Sequence, residues 1–386
     1  MINKFFTGVV ILIMAISCTQ DASGLVRLRE IKIPNGDLQE YMDVNPILAG
    51  DKILIDKQKN NYPQVVDDFY ATGEVIVLAD KSFNSTIYGY NYNGELLWEK
   101  RGDPDDPFLF TSIGSIHVYE LDDKLEVYDD LQSTFYYFSL KSGEYLGEEY
   151  FDLEFNAKHQ INPNLYVFSK FGIEGGSSNG NDNYELFFVD SMSYLKHELP
   201  YASFLNKRPL FVSDLDIIET STNVTYLRPF MDTIFTIDSQ DVNADATILF
   251  ETNPPPRDLF VNPEMMNPSG FVLENNHPFV RAVAKGEKYY YLIYQYNGAN
   301  ALSIIDNDNN KLIANSSLIK SGDDLVPTPF LIRSSKMLSV SSLFQERIIN
   351  KVVNKETMNA EDEKIIDLIN NDRDTSKMTV NIFNVK

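Results

Sequence analysis

Imidazole is the side chain best suited to proton transfer or metal binding near neutral pH, and the chain has four: His117, His159, His197 and His277. A zinc site would need two of them at short spacing, with an acid or a third ligand close by. The gaps here are far longer, so each reads as a loop or strand-face residue. Asp306, Asp308 and Asn310 imitate the opening of a calcium loop, but Lys311 stands where that loop needs glycine and Ser317 where it needs a bidentate glutamate. A polar turn is the better reading. Gly176-Ser177-Ser178-Asn179-Gly180 has the letters of Gly-x-Ser-x-Gly, but nothing helical follows, so no nucleophile elbow is visible. The glycine-rich run Gly175-Gly176-Ser177-Ser178-Asn179-Gly180 opens no helix, which excludes a phosphate cradle. The 56 acidic residues leave carboxylate pairs for glycoside cleavage open, because sequence fixes no separations. No catalytic, cofactor-binding or metal-binding residue is assigned, and no cofactor is expected.

Cys18 is the only cysteine, so neither an internal disulfide nor a thiolate cluster is available. Its setting offers another chemistry. Lys4 precedes an apolar run from Phe5 to Ile16, which is shorter than the roughly 20 residues a membrane-spanning helix takes. The run reads as a signal peptide over residues 1–17. Ala15-Ile16-Ser17 before Cys18 resembles a bacterial lipobox, with Ala15 where leucine is usual; the alternative is an ordinary secretory signal with an incidental cysteine. Lipidation of Cys18 would anchor the chain, since each buried CH₂ contributes about 0.8 kcal/mol. Residues 18–24 form a tether, and residues 25–386 one domain. Asp21 is the only acid directly after the cysteine, a poor match to acidic surface-export signals, so the periplasmic and surface faces of the outer membrane both stay open.

The elements that would position such residues are strands. Ile87 to Tyr90 and Glu95 to Trp98 flank Tyr92-Asn93-Gly94, and Asn-Gly favours a tight hairpin in which both residues take positive φ. Shifted without a gap so that Asp80 falls on Asp129, the segment lands on itself. Tyr88 meets Tyr137, Gly94-Glu95 meets Gly143-Glu144, Leu97 meets Leu146 and Glu99 meets Glu148. A hairpin-built period of roughly 50 residues is that of propeller blades. The first blade is expected over Val65–Tyr70, Glu74–Asp80, Thr86–Tyr92 and Glu95–Lys100. The second is expected over Ser115–Leu121, Lys124–Asp129, Thr134–Leu140 and Glu144–Glu149. The 22 tyrosines and 25 phenylalanines suit a pleated surface, and Trp98 reads as core.

Later the repeat decays but strand and turn signals continue to Lys336–Val340. Leu343 to Asn371 has helical spacing and acids near Asn359, which predicts a helical insertion over about 343–371 in the last blade. Thr379–Val385 returns as a strand. A ring of blades closes by pairing the chain ends, so Leu25–Ile33 is expected beside Thr379–Val385.

Taken together, the lipobox at Cys18, the blade around Asp80 and Gly94, the stretch Asp232-Thr233-Ile234-Phe235 after Arg228, and the helical insertion before a final strand resemble the Bacteroidetes six-bladed β-propeller lipoproteins. The resemblance implies an all-β fold: a six-bladed β-propeller of four-stranded antiparallel blades with the helical insertion in the last blade. It also implies an address in the envelope, and it carries over no catalytic residues. The net charge of −23 would repel phosphate backbones, so nucleic acid is not an expected partner. The expected partners are the membrane, through Cys18, and a glycan, peptide or envelope protein. The function expected is non-enzymatic binding by a lipid-anchored propeller; the alternative is a hydrolase or lyase with carboxylates or histidines at the channel mouth. Inter-blade loops are the natural ligand-facing parts, which singles out Arg101, Asp103, Asp105, Asp106, Phe108, Asn179, Asn181, Asp182 and Arg257.

Overall fold

The computed structural model describes residues 28–39, 42–43, 47–57, 59, 61–151, 155, 157–162, 164–169, 184–190, 193–200, 217–219, 224–227, 232–238, 241–256, 268–297, 299–321, 324–340 and 377–385. Three strands lead in: β1 (Arg29–Ile33), β2 (Met42–Asp43) and β3 (Gly50–Asp56). Blade A follows as β4 (Asp68–Ala71), β5 (Ile76–Asp80), β6 (Thr86–Tyr90) and β7 (Leu96–Arg101). Blade B is β8 (Ser115–Tyr119), β9 (Lys124–Asp129), β10 (Thr134–Ser139) and β11 (Tyr145–Tyr150). Blade C is β12 (Ala157–Asn162), β13 (Leu165–Ser169), β14 (Tyr184–Asp190) and β15 (Ser193–Pro200). Blade D is β16 (Ile217–Glu219), β17 (Val224–Leu227), β18 (Thr233–Ile237) and β19 (Val242–Phe250). Blade E is β20 (Phe279–Lys285), β21 (Tyr289–Tyr296), β22 (Ala299–Asp306) and β23 (Leu312–Ser316). Then come β24 (Leu318–Ser321) and β25 (Asp324–Pro327), and finally β26 (Leu331–Arg333), β27 (Lys336–Val340) and β28 (Lys377–Asn384).

Seven sheets result among the described residues. Blades A, B, C and E are four-stranded antiparallel meanders, and blade D is a meander to whose outer edge β1 adds in parallel. Blade F runs β26-β27-β28-β3, and β2, β24 and β25 make a small three-stranded sheet. The first strand of each blade touches the first strand of the next, from β4 through β8, β12, β16 and β20 to β26 and back to β4. That is an all-β propeller around a central channel.

The sequence explains the stacking. All of β4, β5 and β6 is buried, as strands covered on both faces must be, whereas β7 at the rim is mixed. Successive residues still serve opposite seams. Phe69, Ile76, Leu78, Tyr88 and Tyr90 pack toward blade F. Tyr70, Val75, Val77, Ala79 and Ile87 pack toward blade B. The remaining apolar clusters lie between B and C, C and D, and D and E. The core is therefore a set of seams between blades.

The repeat seen in sequence has a structural cause. Asp80 and Asp129 each end the second strand of a blade and are fully buried. One carboxylate oxygen of Asp80 accepts from the N–H groups of Gln64 and Val65, the other from Phe83 and Asn84. Asp129 does the same with Thr111, Ser112, Leu131 and Gln132. Each aspartate thus pins the connection entering its blade to its own second turn. Trp98 is 7% exposed, and its Nε1–H donates to the Leu140 carbonyl across the A–B seam, at 2.8 Å.

Two sequence expectations change. Chain-end closure is made by β3 and β28, in antiparallel register from Lys377 opposite Asp56 to Phe383 opposite Gly50. The Leu25–Ile33 segment instead gives β1, whose Ile31 and Ile33 fill the D–E seam. At the Asn91–Glu95 turn only Gly94 has positive φ, because the Asn91 side chain accepts from Asn93 and Glu95 and makes a longer turn. A short helix, α1 (Pro268–Glu274), lies in the connection leading to β20. The helical insertion at about 343–371, like residues 1–24, lies outside the described residues. Among the described residues, no helix is long and apolar enough to cross a membrane.

Candidate functional site

The innermost strands carry an unusual share of polar residues. Asp68 on β4 is 1% exposed and is gripped by Arg333 of β26, Nε to Oδ1 at 2.8 Å and Nη2 to Oδ2 at 3.2 Å. Lys81 Nζ lies 3.3 Å from the second oxygen. Burial alone would raise the Asp68 pKa, but Arg333 and then Lys81 overcome it, and the net shift is downward. Beside this group the Tyr70 hydroxyl stands 3.3 Å from His117 Nδ1 and donates to the Ile116 carbonyl. The His117 ring packs on Tyr119 at 4.6 Å and on His159 of β12 at 6.5 Å between centroids. Burial, followed by Lys158 and Arg333, pulls His117 down to about 3, and burial followed by His117 does the same to His159. Both imidazoles are neutral at physiological pH. Next to them Lys158 Nζ sits 2.8 Å from both oxygens of Glu126, with the Phe135 and Tyr166 rings 4.4 and 4.6 Å away.

This belt is poorly set for acid–base work. Its carboxylates are held in charge-assisted hydrogen bonds, and its histidines are too weakly basic to take a proton near neutral pH. It is well set to hold a polar lining rigid. At the end of the channel where first strands turn into second strands, that lining opens into a cavity of about 560 Å³. Asp51, Thr72, Tyr92, Glu120, Ser334 and Lys336 surround it, and Tyr70 links it to the histidine pair. The wall is pinned by a bond from Gly73 N–H to Glu120 and one from the Tyr92 hydroxyl to the Thr72 carbonyl, at 2.7 and 2.5 Å. Burial, then Asp51 and Glu120, raises the Tyr92 pKa, so Tyr92 stays a neutral donor. Ser334 and Ser335 both hold positive φ, 43° and 62°, in the turn at the cavity wall.

Residues 70–335 match DUF5128, a family described as a 6-bladed beta-propeller. The chain belongs to that family. A Bacteroides fragilis protein described as a candidate exported protein matches in structure with a TM-score of 0.67 at 12% identity, over 92% of this chain and 99% of that chain. A member of the DUF4221 family from Bacteroides vulgatus, 8% identical, aligns over 88% of this chain and 98% of that chain with a TM-score of 0.48. No curated protein matches the chain. At 12% identity the Bacteroides fragilis likeness speaks to fold alone, and the site must be argued from its own residues.

In this family member the residues singled out from sequence take varied positions. Arg101 ends β7, the outermost strand of blade A. Asp103 accepts from the Asp105 N–H and Asp106 from the Phe108 N–H, so both carboxylates serve local turns. Phe108 is 57% exposed, with its ring 5.2 Å from Tyr145. Cys18, Asn179, Asn181, Asp182 and Arg257 lie outside the described residues. His117 and His159 are strand residues of the channel, His277 is in an exposed loop, and His197 is on β15. The Asp306 carboxylate accepts from the N–H groups of Asp308 and Asn309, as a polar turn does. Sequence reasoning passed over Asp68, Lys158 and Arg333. For β12, which carries two of the channel's residues, AKHQIN has too little apolar alternation to announce a strand.

Proposed function

We propose that this chain is a six-bladed, lipid-anchored propeller of the bacterial envelope that binds a glycan or peptide at the channel-mouth cavity without turning it over. Six blades are favoured by the ring of first strands and by a family described that way, with the three-stranded sheet as an appendage between blades E and F. The observation that carries the binding reading is the cavity itself: hydroxyls, an amide-pinned carboxylate and a lysine around two tyrosines, a mixture that suits hydroxyl- and amine-bearing ligands. The neutral histidines and paired acids of the belt argue against proton-transfer chemistry.

The anchor rests on Cys18 and the apolar run before it, and on a structural neighbour described as a candidate exported protein. Incorporation of a labelled fatty acid by the wild-type chain, and its loss in Cys18→Ser, is the expected result; equal labelling would remove the anchor. For the ligand, thermal unfolding of a soluble chain starting at Thr19 against glycans and peptides is the direct measurement. A ligand at 100 times its dissociation constant stabilises by about 2.7 kcal/mol. Tyr92→Ala should abolish that shift, and a ligand insensitive to Tyr92 would move the site elsewhere. A second reading, hydrolase or lyase, draws on Asp51 and Glu120 sharing the cavity. Ligand cleavage that stops in Asp51→Asn or Glu120→Gln would replace binding with catalysis.

A further inference from the structure

Arg281 stands on β20, the innermost strand of blade E, where the register with β21 breaks. Val280 pairs with Tyr294 and Ala282 with Ile293, which leaves Arg281 as the extra residue of a bulge. Bulges re-aim side chains and gather near functional sites. The alternation shifts across this one: Val280 and Val283 join the D–E seam, while Ala282 and Ala284 join the cluster shared with blade F. Arg281, between them, is neither fully buried nor freely exposed.

Among the described residues its guanidinium has no hydrogen-bond or ion-pair partner, although it offers five N–H donors. The contrast with its neighbours is sharp. Arg333 on the adjacent first strand has Asp68, and Lys158 has Glu126. Burial pulls the Arg281 pKa down, and no carboxylate among the described residues offsets it. An arginine held this way, in a chain of net charge −23, lacks the acceptor that would balance its desolvation.

We propose that Arg281 anchors an oxyanion, the carboxylate or phosphate of a small acidic ligand, held bidentately inside the channel. This goes beyond the mouth cavity, whose surrounding residues come from other blades, and does not rest on it. The test is thermal unfolding of the chain from Thr19 at constant ionic strength, titrated separately with citrate and inorganic phosphate, with chloride as the control for charge screening. Saturable stabilisation by one of the two is expected, and which one responds separates the carboxylate from the phosphate source. Arg281→Gln should bind the responding anion at least about tenfold more weakly. Arg281→Lys, a point charge without the planar fork, should fall in between. No saturable shift with either anion overturns the proposal, as does an unchanged shift in a folded Arg281→Gln. If Arg281→Gln does not fold, Arg281→Lys decides by the same comparison. A neutral glycan that still stabilises Arg281→Gln would leave the cavity reading standing, so the two can fail separately.

Discussion

Each oxygen of the Asp129 carboxylate takes two backbone N–H groups, one pair from the connection entering blade B and one from its second turn. No side chain lacking two acceptor oxygens can hold both. Asp129→Ala should therefore cost about 3 kcal/mol, since several buried donors lose a charged acceptor at once, and Asp129→Asn should recover only part of it. Denaturant unfolding measures both; a loss below about 1 kcal/mol would mean that water replaces the carboxylate. The histidine pair gives the molecule an acid-side weakness. Above their ordinary pKa of 6.5 both histidines are neutral folded and unfolded, and contribute no pH dependence. Below it the unfolded chain takes protons that the folded one refuses down to about 3, so stability falls with pH across that window. The slope is up to about 1.4 kcal/mol per pH unit for each histidine. His117 faces Lys158, Arg333 and Lys124, whose charges steepen the penalty, and Asp68, which eases it. Unfolding free energies from neutral pH down to about 4.5 should slope more gently in His159→Gln than in wild type; parallel slopes would refute the assignment. Asp80 and Asp129 were legible in the sequence because their partners are neighbours in the chain. Asp68 and Arg333 lie 265 residues apart, and nothing local marks them as a pair.

Elements inherit this contrast between local and distant causes. The strands of blades A and B fall within a few residues of their expected limits, because turn residues and alternation are both strong there. The inner strands of blades C and D were missed, since β12 is polar and β16 only three residues long, and both are defined by neighbours in the ring. Between blades, the recurring glycine does the fitting. A Cβ on Gly94 would meet the Leu54 carbonyl oxygen at 2.1 Å, and one on Gly143 would meet the Trp98 ring at 2.8 Å. Both have positive φ, 79° and 71°. Each turn thus presses on the outermost strand of the preceding blade, which is why Gly-Glu repeats with the period. Gly94→Ala combines backbone strain of about 1–2 kcal/mol with overpacking of about 1–3 kcal/mol. It should destabilise more than Gly143→Ala, because a strand carbonyl yields less than a side-chain ring. Comparing the two melting temperatures checks the order; equal effects would show that φ alone matters.

At the scale of the whole molecule, a periodic sequence announces a ring, but where the ring is sealed depends on which strand edges remain unpaired once the blades have stacked. Here β28 lies between β27 and β3, so residues from near the two ends of the chain complete blade F. β1 lies on the rim of blade D and seals nothing. Truncation should separate these roles. Removing residues 1–33 deletes β1 and uncovers the seam around Ile31 and Ile33, a loss of at most about 3 kcal/mol for each. The remaining ring is still closed, and a single cooperative transition at lower temperature is expected. Removing residues 377–386 deletes a central strand, and Met378, Val380, Ile382 and Phe383 leave the cluster that joins blades E, F and A. Blade F then keeps β26 and β27 but loses its link to β3, so the seams on both its sides open together. Calorimetry should find no cooperative transition for that chain. A sharp transition near the wild-type temperature would mean that the seams hold the ring without closure, and that β3 and β28 matter only to their own blade.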